Sequence, residues 1–166
     1  MDESKWKTLL MDWLQGATLA STKMIGAKRV KTMIRGMSLV FVNSLARRLE
    51  EQTNEKLMTP SASIKEAAEK FNQVEIRAQL CQEKEVIIKE INTGKVEVTV
   101  HNCLYGDFCN EVLSRLLSTG DFNEKTIPCL RLSNSAAAAT HLAGIRCPYY
   151  LIQFAPGAVC KGVIEG

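Results

Sequence analysis

A change of hydrophobic period near residue 86 constrains the fold of this chain more than any other feature of its sequence. Residues 86–91 (VIIKEI) and 95–100 (KVEVTV) are rich in β-branched residues, and the second run alternates strictly between polar and apolar positions. Residues 92–94 (NTG) separate the two runs and have the composition of a tight turn. The pattern predicts an antiparallel β-hairpin.

The alternation in the second run divides its side chains between two faces of the predicted sheet. One face carries Val96, Val98 and Val100, and the other carries Glu97, Thr99 and His101. We expect the valine face to be buried and the opposite face to be solvated or to line a cavity. Cys103 shares the face of His101 if the strand continues that far, whereas the two are not neighbours if the strand ends at Asn102.

Helical patterns fill the chain before the hairpin. Apolar residues three and four positions apart predict a helix that ends near Gly16, with a stripe formed by Trp6, Leu9, Leu10, Trp13 and Leu14. This stripe either packs on its own domain or forms a symmetric dimer contact. A second, amphipathic helix is predicted over residues 30–51. A third begins at the capping box of Ser63 and Glu66, or at Thr59, and runs to about residue 72. Beyond residue 74 the chain either continues this helix or forms a strand.

The chain after the hairpin contains two more helical patterns and two more strand patterns. We expect a helix over residues 107–118 with Asp107 as its N-cap. Residues 129–132 either form a short strand or lead straight into a helix that runs to about residue 143. Its four consecutive alanines allow close approach of another element or leave room for a ligand. The runs 149–154 and 158–164 are joined by a proline and a glycine and predict a second hairpin.

These elements define an α+β protein. N-terminal helices are followed by an antiparallel sheet of two hairpins, with helices packed on one face. A chain of 166 residues with 46% hydrophobic residues can bury the core of one domain without disulfides. We assign residues 1–29 to an N-terminal helical extension and residues 30–166 to a single α+β domain.

The charge and the hydropathy of the chain limit the classes of partner that it can bind. The net charge is only +3, and the stretch between Asp12 and Glu50 has basic residues without acidic ones. It is either a solvated helix face or a surface for phosphate or an acidic partner. It lacks interleaved aromatic residues and helix-turn-helix spacing, so nucleic-acid binding is not indicated. The apolar run 39–42 is far shorter than the roughly 20 residues of a membrane span. The N-terminus does not resemble a secretory signal, so we expect a cytoplasmic location without a membrane span.

Six cysteines raise the question of a metal site. In the cytoplasm they are expected to be free thiols or metal ligands rather than disulfides. The candidate ligands for zinc or an iron–sulfur cluster are Cys103, Cys109, Cys147 and Cys160, supplemented by His101 or Cys129. No Cys-x-x-Cys pair occurs, so such a site would have to be assembled from distant segments.

Cys109 is the candidate for a reactive thiol. It falls in the first turn of a predicted helix, where free amides and the helix dipole favour a thiolate, although it could equally be a small buried apolar residue. His141 with Asp107 or Asp121 supplies the residue types of a triad, but the spacing does not support one. Dinucleotide, phosphate-loop and metalloprotease motifs are absent from the sequence. We therefore name no catalytic residue besides Cys109 and leave enzyme activity open.

The order of these elements and of their cysteines resembles the vinyl-reductase-type domain. The resemblance is carried by residues 98–102 (VTVHN), by the cysteine and small-residue helix at 129–144, and by the closing run 156–165 (PGAVCKGVIE). Cys160 matches the later cysteine of a family pattern whose earlier cysteine would fall near residues 152–153, where this chain has none. The family comprises predicted hydrocarbon- or small-molecule-binding proteins. It is similar in fold to subunits of the TRAPP vesicle-tethering complex and distantly to haem-based nitric-oxide sensor domains.

The resemblance implies a binding module. Because the sequence has no catalytic constellation, we expect a binding or sensory domain without catalysis of its own, dimeric through its N-terminal helices. A small apolar molecule would occupy a pocket between the sheet and its covering helices. His101 and Tyr105 would lie at the mouth of this pocket, and we expect Cys103 and Phe108 to contact the ligand beside them. Two alternatives stay open. One is a thiol-dependent enzyme or a redox or metal switch centred on Cys109, and the other is a structural adaptor that forms protein complexes.

Overall fold

The computed structural model describes the backbone of residues 3–120, 122–123 and 125–166, and the side chains of these ranges from residue 12 onward. The side chains of Trp6, Leu9 and Leu10, which belong to the predicted N-terminal stripe, therefore lie outside the described residues. Asp121 of the hypothetical triad lies outside them as well. The elements follow the predicted α+β order, with helices first and two hairpins separated by further helices.

Two long helices open the chain, α1 (Glu3–Ile25) and α2 (Ala27–Thr53). Gly26 separates them with a φ of +78°, a left-handed conformation that glycine adopts without steric cost. Helix α1 passes through Gly16, the predicted end, because a glycine inside a helix weakens it without ending it. No helix in the described part of the chain, these two included, combines the length and apolar character needed to cross a membrane.

Helix α3 (Ile64–Arg77) begins at the predicted capping box. The Ser63 hydroxyl accepts a hydrogen bond from the Glu66 N–H at 3.1 Å, and the Glu66 carboxylate accepts one from the Ala62 N–H at 2.8 Å. Two free amides at the helix start are thereby satisfied. The start at Ser63 rather than Thr59 is confirmed, and the helix continues beyond its predicted end near residue 72.

Two antiparallel hairpins form a four-stranded sheet. Its strands are β1 (Val86–Asn92), β2 (Lys95–His101), β3 (Tyr149–Gln153) and β4 (Val159–Glu165). β1 pairs with β2, β3 pairs with β4, and the central pair β2 and β4 joins the hairpins in the order β1-β2-β4-β3. The predicted sheet of two hairpins and the α+β class are confirmed.

The valine face of β2 is buried as predicted, whereas Thr99 on the opposite face, expected to be solvated or to line a cavity, is buried as well. Val96, Val98 and Val100 are each at most 3% exposed and lie in the core between sheet and helices. The strand ends at His101, and Asn102 then adopts a φ of +47°. This left-handed residue breaks the alternation, so Cys103 does not continue the face that carries His101.

A helical segment containing a π-helical turn follows the first hairpin. Its pieces are α4 (Gly106–Phe108), the π-helical turn (Cys109–Leu113) and α5 (Ser114–Ser118). The backbone N–H of Ser114 donates to the Cys109 carbonyl five residues earlier, and the Ser114 hydroxyl donates to the same oxygen at 3.2 Å. Such turns are rare and occur often at functional sites. Asp107 lies inside the first turn and is not the N-cap, because the helix begins one residue earlier.

Helix α6 (Leu130–Ala143) carries the four alanines, residues 136–139, and all four are fully buried. Ala137 and Ala138 pack in one cluster with Val42 of α2 and Phe71 of α3. The small side chains let three helices come close together, which is the first of the two roles expected for them. On its other side α6 contacts β3 and β4.

Candidate functional site

A cavity of about 320 Å³, here called the helical cavity, lies between the N-terminal helices and α6. Its lining residues are Trp13, Leu14, Ala17, Thr18, Met33, Ile34, Met37, Ser38, Phe41, Leu80, Leu104, Tyr105, Leu130 and Asn134. They lie on α1, α2, α6 and two loops. The cavity is therefore enclosed by helices and loops, whereas the sequence predicted a pocket between the sheet and its helices. Its volume is in the range of ligand pockets, about 300–1,000 Å³.

The wall of the helical cavity is apolar apart from Thr18, Ser38, Tyr105 and Asn134. The Ser38 hydroxyl donates to the Ser133 hydroxyl at 2.9 Å and is satisfied within the protein. The Asn134 side-chain amide donates to the Tyr105 hydroxyl at 3.5 Å, the long limit of a hydrogen bond. Tyr105 and Asn134 therefore keep hydrogen-bonding capacity that a polar atom in the cavity could use.

A tight turn holds Tyr105 in the wall. The Gly106 N–H donates to the Cys103 carbonyl at 2.8 Å, and this places Leu104 and Tyr105 at the two central positions. Burial raises the pKa of the Tyr105 hydroxyl to about 12. The hydroxyl therefore stays protonated at neutral pH and can donate a hydrogen bond to a ligand.

The four residues predicted to contact a ligand lie in different surroundings. Tyr105 lines the helical cavity, and Cys103 lines a separate, smaller space between sheet and helices. Phe108 is 1% exposed and packs in the main hydrophobic core. His101 pairs with Val159 at the end of β2, one position along the strand from the inward-facing Val100, so its side chain projects from the opposite face. Phe108 and His101 are not among the described lining residues of the helical cavity.

The smaller space is lined by four of the six cysteines. We call it the thiol chamber, and its cysteines are Cys103, Cys109, Cys129 and Cys160. Strand residues such as Val98 and Gly162 also line the chamber. Its volume is about 20 Å³, enough for a single water molecule. Three of the four cysteines predicted to share a metal site thus line one chamber, and Cys129 takes the fourth position.

Burial disfavours the thiolate form of the cysteines in the chamber. Burial raises the pKa of Cys129 to about 12 and raises the pKa of Cys103, Cys109 and Cys160 as well. Cys109 is only 6% exposed and opens the π-helical turn three residues after the helix begins. The desolvation of a thiolate outweighs any help from the helix dipole at this position. The reasoning that made Cys109 the first choice for a reactive thiol is therefore not supported by its surroundings.

The chemistry of these thiols suits a metal ion, but their arrangement does not. Zinc and iron–sulfur clusters prefer cysteine sulfur, but ligands must lie around one point at about 2.3 Å from zinc. Among the described residues, no three side chains of His, Cys, Asp or Glu are placed to hold a metal ion. Cys147 is not among the residues lining the chamber, and its thiol donates to the Ile145 carbonyl at 3.1 Å. The hypothesis that zinc or an iron–sulfur cluster is bound stays a prediction.

The suggested triad also lacks structural support. His141 is exposed on α6, whereas Cys109 is buried in the core. Asp107 is exposed on α4.

An ion pair buried between α3 and α6 adjoins the thiol chamber. Arg131 lines the chamber, and its Nη1 donates to Oε1 of Glu75. Burial raises the pKa of the Glu75 carboxyl, and the Arg131 guanidinium acts in the opposite direction. The Nε of Arg131 is buried without a hydrogen-bond partner in the described part of the protein. This N–H can donate to a water molecule in the chamber.

Sequence reasoning missed both this ion pair and the helical cavity. Glu75 follows Phe71 by four residues and so lies on the buried stripe of α3, while Arg131 stands between two leucines. A charged residue at an apolar position of a helix is the signal that could have revealed the pair. The cavity left no comparable signal, because its lining comes from five separate parts of the chain.

Comparisons of this chain with models of protein families, with curated proteins and with solved structures found no match. The similarity to the vinyl-reductase-type domain stays a prediction that rests on the order of elements and on the quoted residues.

Proposed function

We propose that this protein binds a small apolar molecule in the helical cavity and acts as a binding or sensory domain without catalysis of its own. The observation that carries the proposal is the cavity itself, with about 320 Å³ of space and a predominantly apolar wall. Transfer of apolar surface from water into such a wall is favourable by roughly 25 cal/mol per Å². An apolar ligand is therefore the class that this cavity would hold best.

The polar groups in the wall suggest how a ligand would be oriented. Tyr105 and Asn134 lie on the turn before α4 and on α6, and the hydrogen bond between them is long at 3.5 Å. A hydroxyl or carbonyl group on the ligand could bond to either side chain with little loss to the protein. A few placed polar groups in an apolar pocket are the usual source of orientation in small-molecule sites.

The proposal agrees with the binding role implied by the vinyl-reductase resemblance, although the cavity lies in a different place from the expected pocket. The predicted homodimer, the cytoplasmic location and the separate extension at residues 1–29 are parts of the same hypothesis. The adaptor alternative would be favoured by stable protein partners recovered together with an unliganded chain.

Titration with 1-decanol, a neutral compound with an aliphatic chain, tests the proposal. At a ligand concentration about 100 times Kd, the free energy of unfolding should rise by about 2.7 kcal/mol. This corresponds to roughly 5–10 °C in Tm for a chain of this size. Calorimetry should give a single site with a negative heat-capacity change on binding.

Two alanines of α1 provide a matched pair of variants. Ala17 lines the helical cavity, whereas Ala20 is exposed on the same helix. Ala17→Phe should fill the cavity and abolish decanol binding, and Ala20→Phe should leave binding unchanged. Equal binding by both variants would show that decanol sits elsewhere. No binding to the unmodified protein, together with no apolar compound in native mass spectra of protein purified from cells, would refute the proposal.

A further inference from the structure

An open cleft adjoins the helical cavity on the solvent side. We call it the outer cleft, and its volume is about 590 Å³. The loop after α3 and the turn before α4 form its two sides. Leu80 and Leu104 line both the outer cleft and the helical cavity. These two leucines therefore lie where the two spaces meet, and both are half-buried.

The backbone on each side of this boundary has an uncommon conformation. Gln79 precedes Leu80 with a φ of +58°, and Asn102 lies two residues before Leu104 with a φ of +47°. Residues other than glycine seldom adopt such left-handed values, and they tend to occur where surrounding structure fixes the chain for a function. Both loops are thus held in defined paths where the cavity meets the cleft.

The outer cleft differs from the cavity in its chemistry. Its charged lining residues in the described part of the chain are Glu85 and Asp107, both acidic. One oxygen of the Glu85 carboxylate accepts a hydrogen bond from the Gln82 N–H at 2.8 Å. Asp107 is exposed on α4 across the cleft. A positively charged, hydrogen-bond-donating group is the complement of such a surface, and a carboxylate would be repelled.

We propose that the ligand is amphipathic, with an aliphatic tail in the helical cavity and a primary amine in the outer cleft, joined by a stem that passes between Leu80 and Leu104. This inference rests on the proposed function, because the tail occupies the same cavity. It adds the chemical class of the head group and the residues that select it. Glu85 and Asp107 contact the amine, while Leu80 and Leu104 enclose the stem.

Three ligands with the same tail test this choice: decylamine, 1-decanol and decanoate, measured by calorimetry at one low ionic strength. Exposed ion pairs contribute modestly, so decylamine should bind about fivefold more tightly than decanol. Decanoate should bind more weakly than decanol. The preference for the amine should decrease as salt is added, because the pairs are exposed.

A pair of double variants separates local contacts from overall charge. Glu85→Gln with Asp107→Asn should remove the preference for decylamine over decanol. Glu83→Gln with Glu90→Gln changes the net charge equally, at exposed residues that do not line the cleft. This control should keep the preference.

The outcomes distinguish the two proposals. Failure of all three compounds to bind would contradict the proposed function. Binding of decanol with equal or tighter binding of decanoate than of decylamine would overturn only the amine assignment. Ala17→Phe should abolish decylamine binding, and unchanged binding by that variant would show that the amine occupies the cleft alone, which also overturns the inference.

Discussion

Arg131 and Glu75 form an ion pair in the interior, where each side chain is only 2% exposed. The pair joins the start of α6 to the end of α3, and Arg131 also borders the thiol chamber. It also lies near the cavity wall, because Leu130, the neighbour of Arg131 in the sequence, lines the helical cavity. Charges so far from water are stable only when paired.

Removing one partner of this pair should therefore lower the stability of the protein strongly. Arg131→Met or Glu75→Gln leaves a buried group unpaired, and each should lower the free energy of unfolding by about 3–5 kcal/mol. The double variant Arg131→Met with Glu75→Leu should lose less than either single variant, since no charge is left unpaired. Urea unfolding measures these values.

The exposed pair Arg47 and Glu51 supplies the control. Its atoms are 3.8 Å apart, and both side chains are more than two-thirds exposed. Glu51→Gln should change the free energy of unfolding by less than about 1 kcal/mol. A similar small effect for Glu75→Gln would mean that the buried pair is hydrated in solution.

Local patterns accounted for most of the fold, because the elements are specified by neighbours in sequence. The alternation over residues 95–100 correctly predicted β2, and the capping box at Ser63 correctly predicted the start of α3. The end of α1 was wrong, since Gly16 keeps helical geometry whereas Gly26 turns to positive φ. Which glycine ends a helix depends on how the next segment packs, and this packing cannot be derived from the local sequence.

The candidate site was far less predictable. The helical cavity exists because Ala17, Met33, Leu104 and Asn134, from four distant parts of the chain, enclose one volume. Each of these residues taken alone has the character of ordinary core. Tyr105 was selected through a family resemblance, and Phe108, which was expected to contact the ligand beside it, is buried in the core. Whether such a residue lines a cavity or packs in the core depends on contacts between distant parts of the chain.

The cysteines differ in burial, and this difference predicts an order of reactivity among their thiols. Cys103 and Cys160 are partly exposed, whereas Cys81, Cys109, Cys129 and Cys147 are each at most 8% exposed. Because burial also raises the pKa of each thiol, the four buried ones should react slowly with iodoacetamide under native conditions. Peptide mass spectrometry of the time course gives each rate. Fast alkylation of Cys109 near neutral pH would restore the hypothesis of a reactive thiol.

Alkaline pH should destabilise the protein through the same thiols. In the unfolded chain a thiol loses its proton near pH 8.5, whereas folded Cys129 keeps it until about pH 12. The folded state binds more protons in this window, so stability falls as pH rises, by about 1.4 kcal/mol per pH unit for each such thiol. Lys31 acts oppositely, because burial lowers its pKa to about 8 and its contribution grows as pH rises.

Urea unfolding at a series of pH values above neutrality measures this slope. Cys129→Ala should reduce the slope by about the contribution of one thiol, even though it lowers stability at neutral pH. Lys31→Met should make the slope steeper by removing the opposing group. An unchanged slope in Cys129→Ala would show that this thiol ionises normally in the folded protein.

The contact between Gly162 of β4 and Leu132 of α6 should not tolerate an added methyl group. A Cβ at Gly162 would lie 2.1 Å from Cδ1 of Leu132 and 2.8 Å from the carbonyl oxygen of Tyr150. Gly162→Ala should therefore lower the free energy of unfolding by about 1–3 kcal/mol, the usual effect of overpacking. Gly36→Ala is the control: a Cβ there meets nothing within 4 Å, and in mid-helix it should stabilise by about 0.5–1 kcal/mol.

Combining Gly162→Ala with Leu132→Ala identifies the cause of the loss. Leu132 is 1% exposed, so its truncation alone should lower the free energy of unfolding by about 2–5 kcal/mol. If the two side chains compete for one space, the double variant should lose less than the sum of the single losses. Some loss should remain, because the clash with the Tyr150 carbonyl is with backbone and is not relieved. Strictly additive losses would mean that β4 and α6 are farther apart in solution than this contact requires.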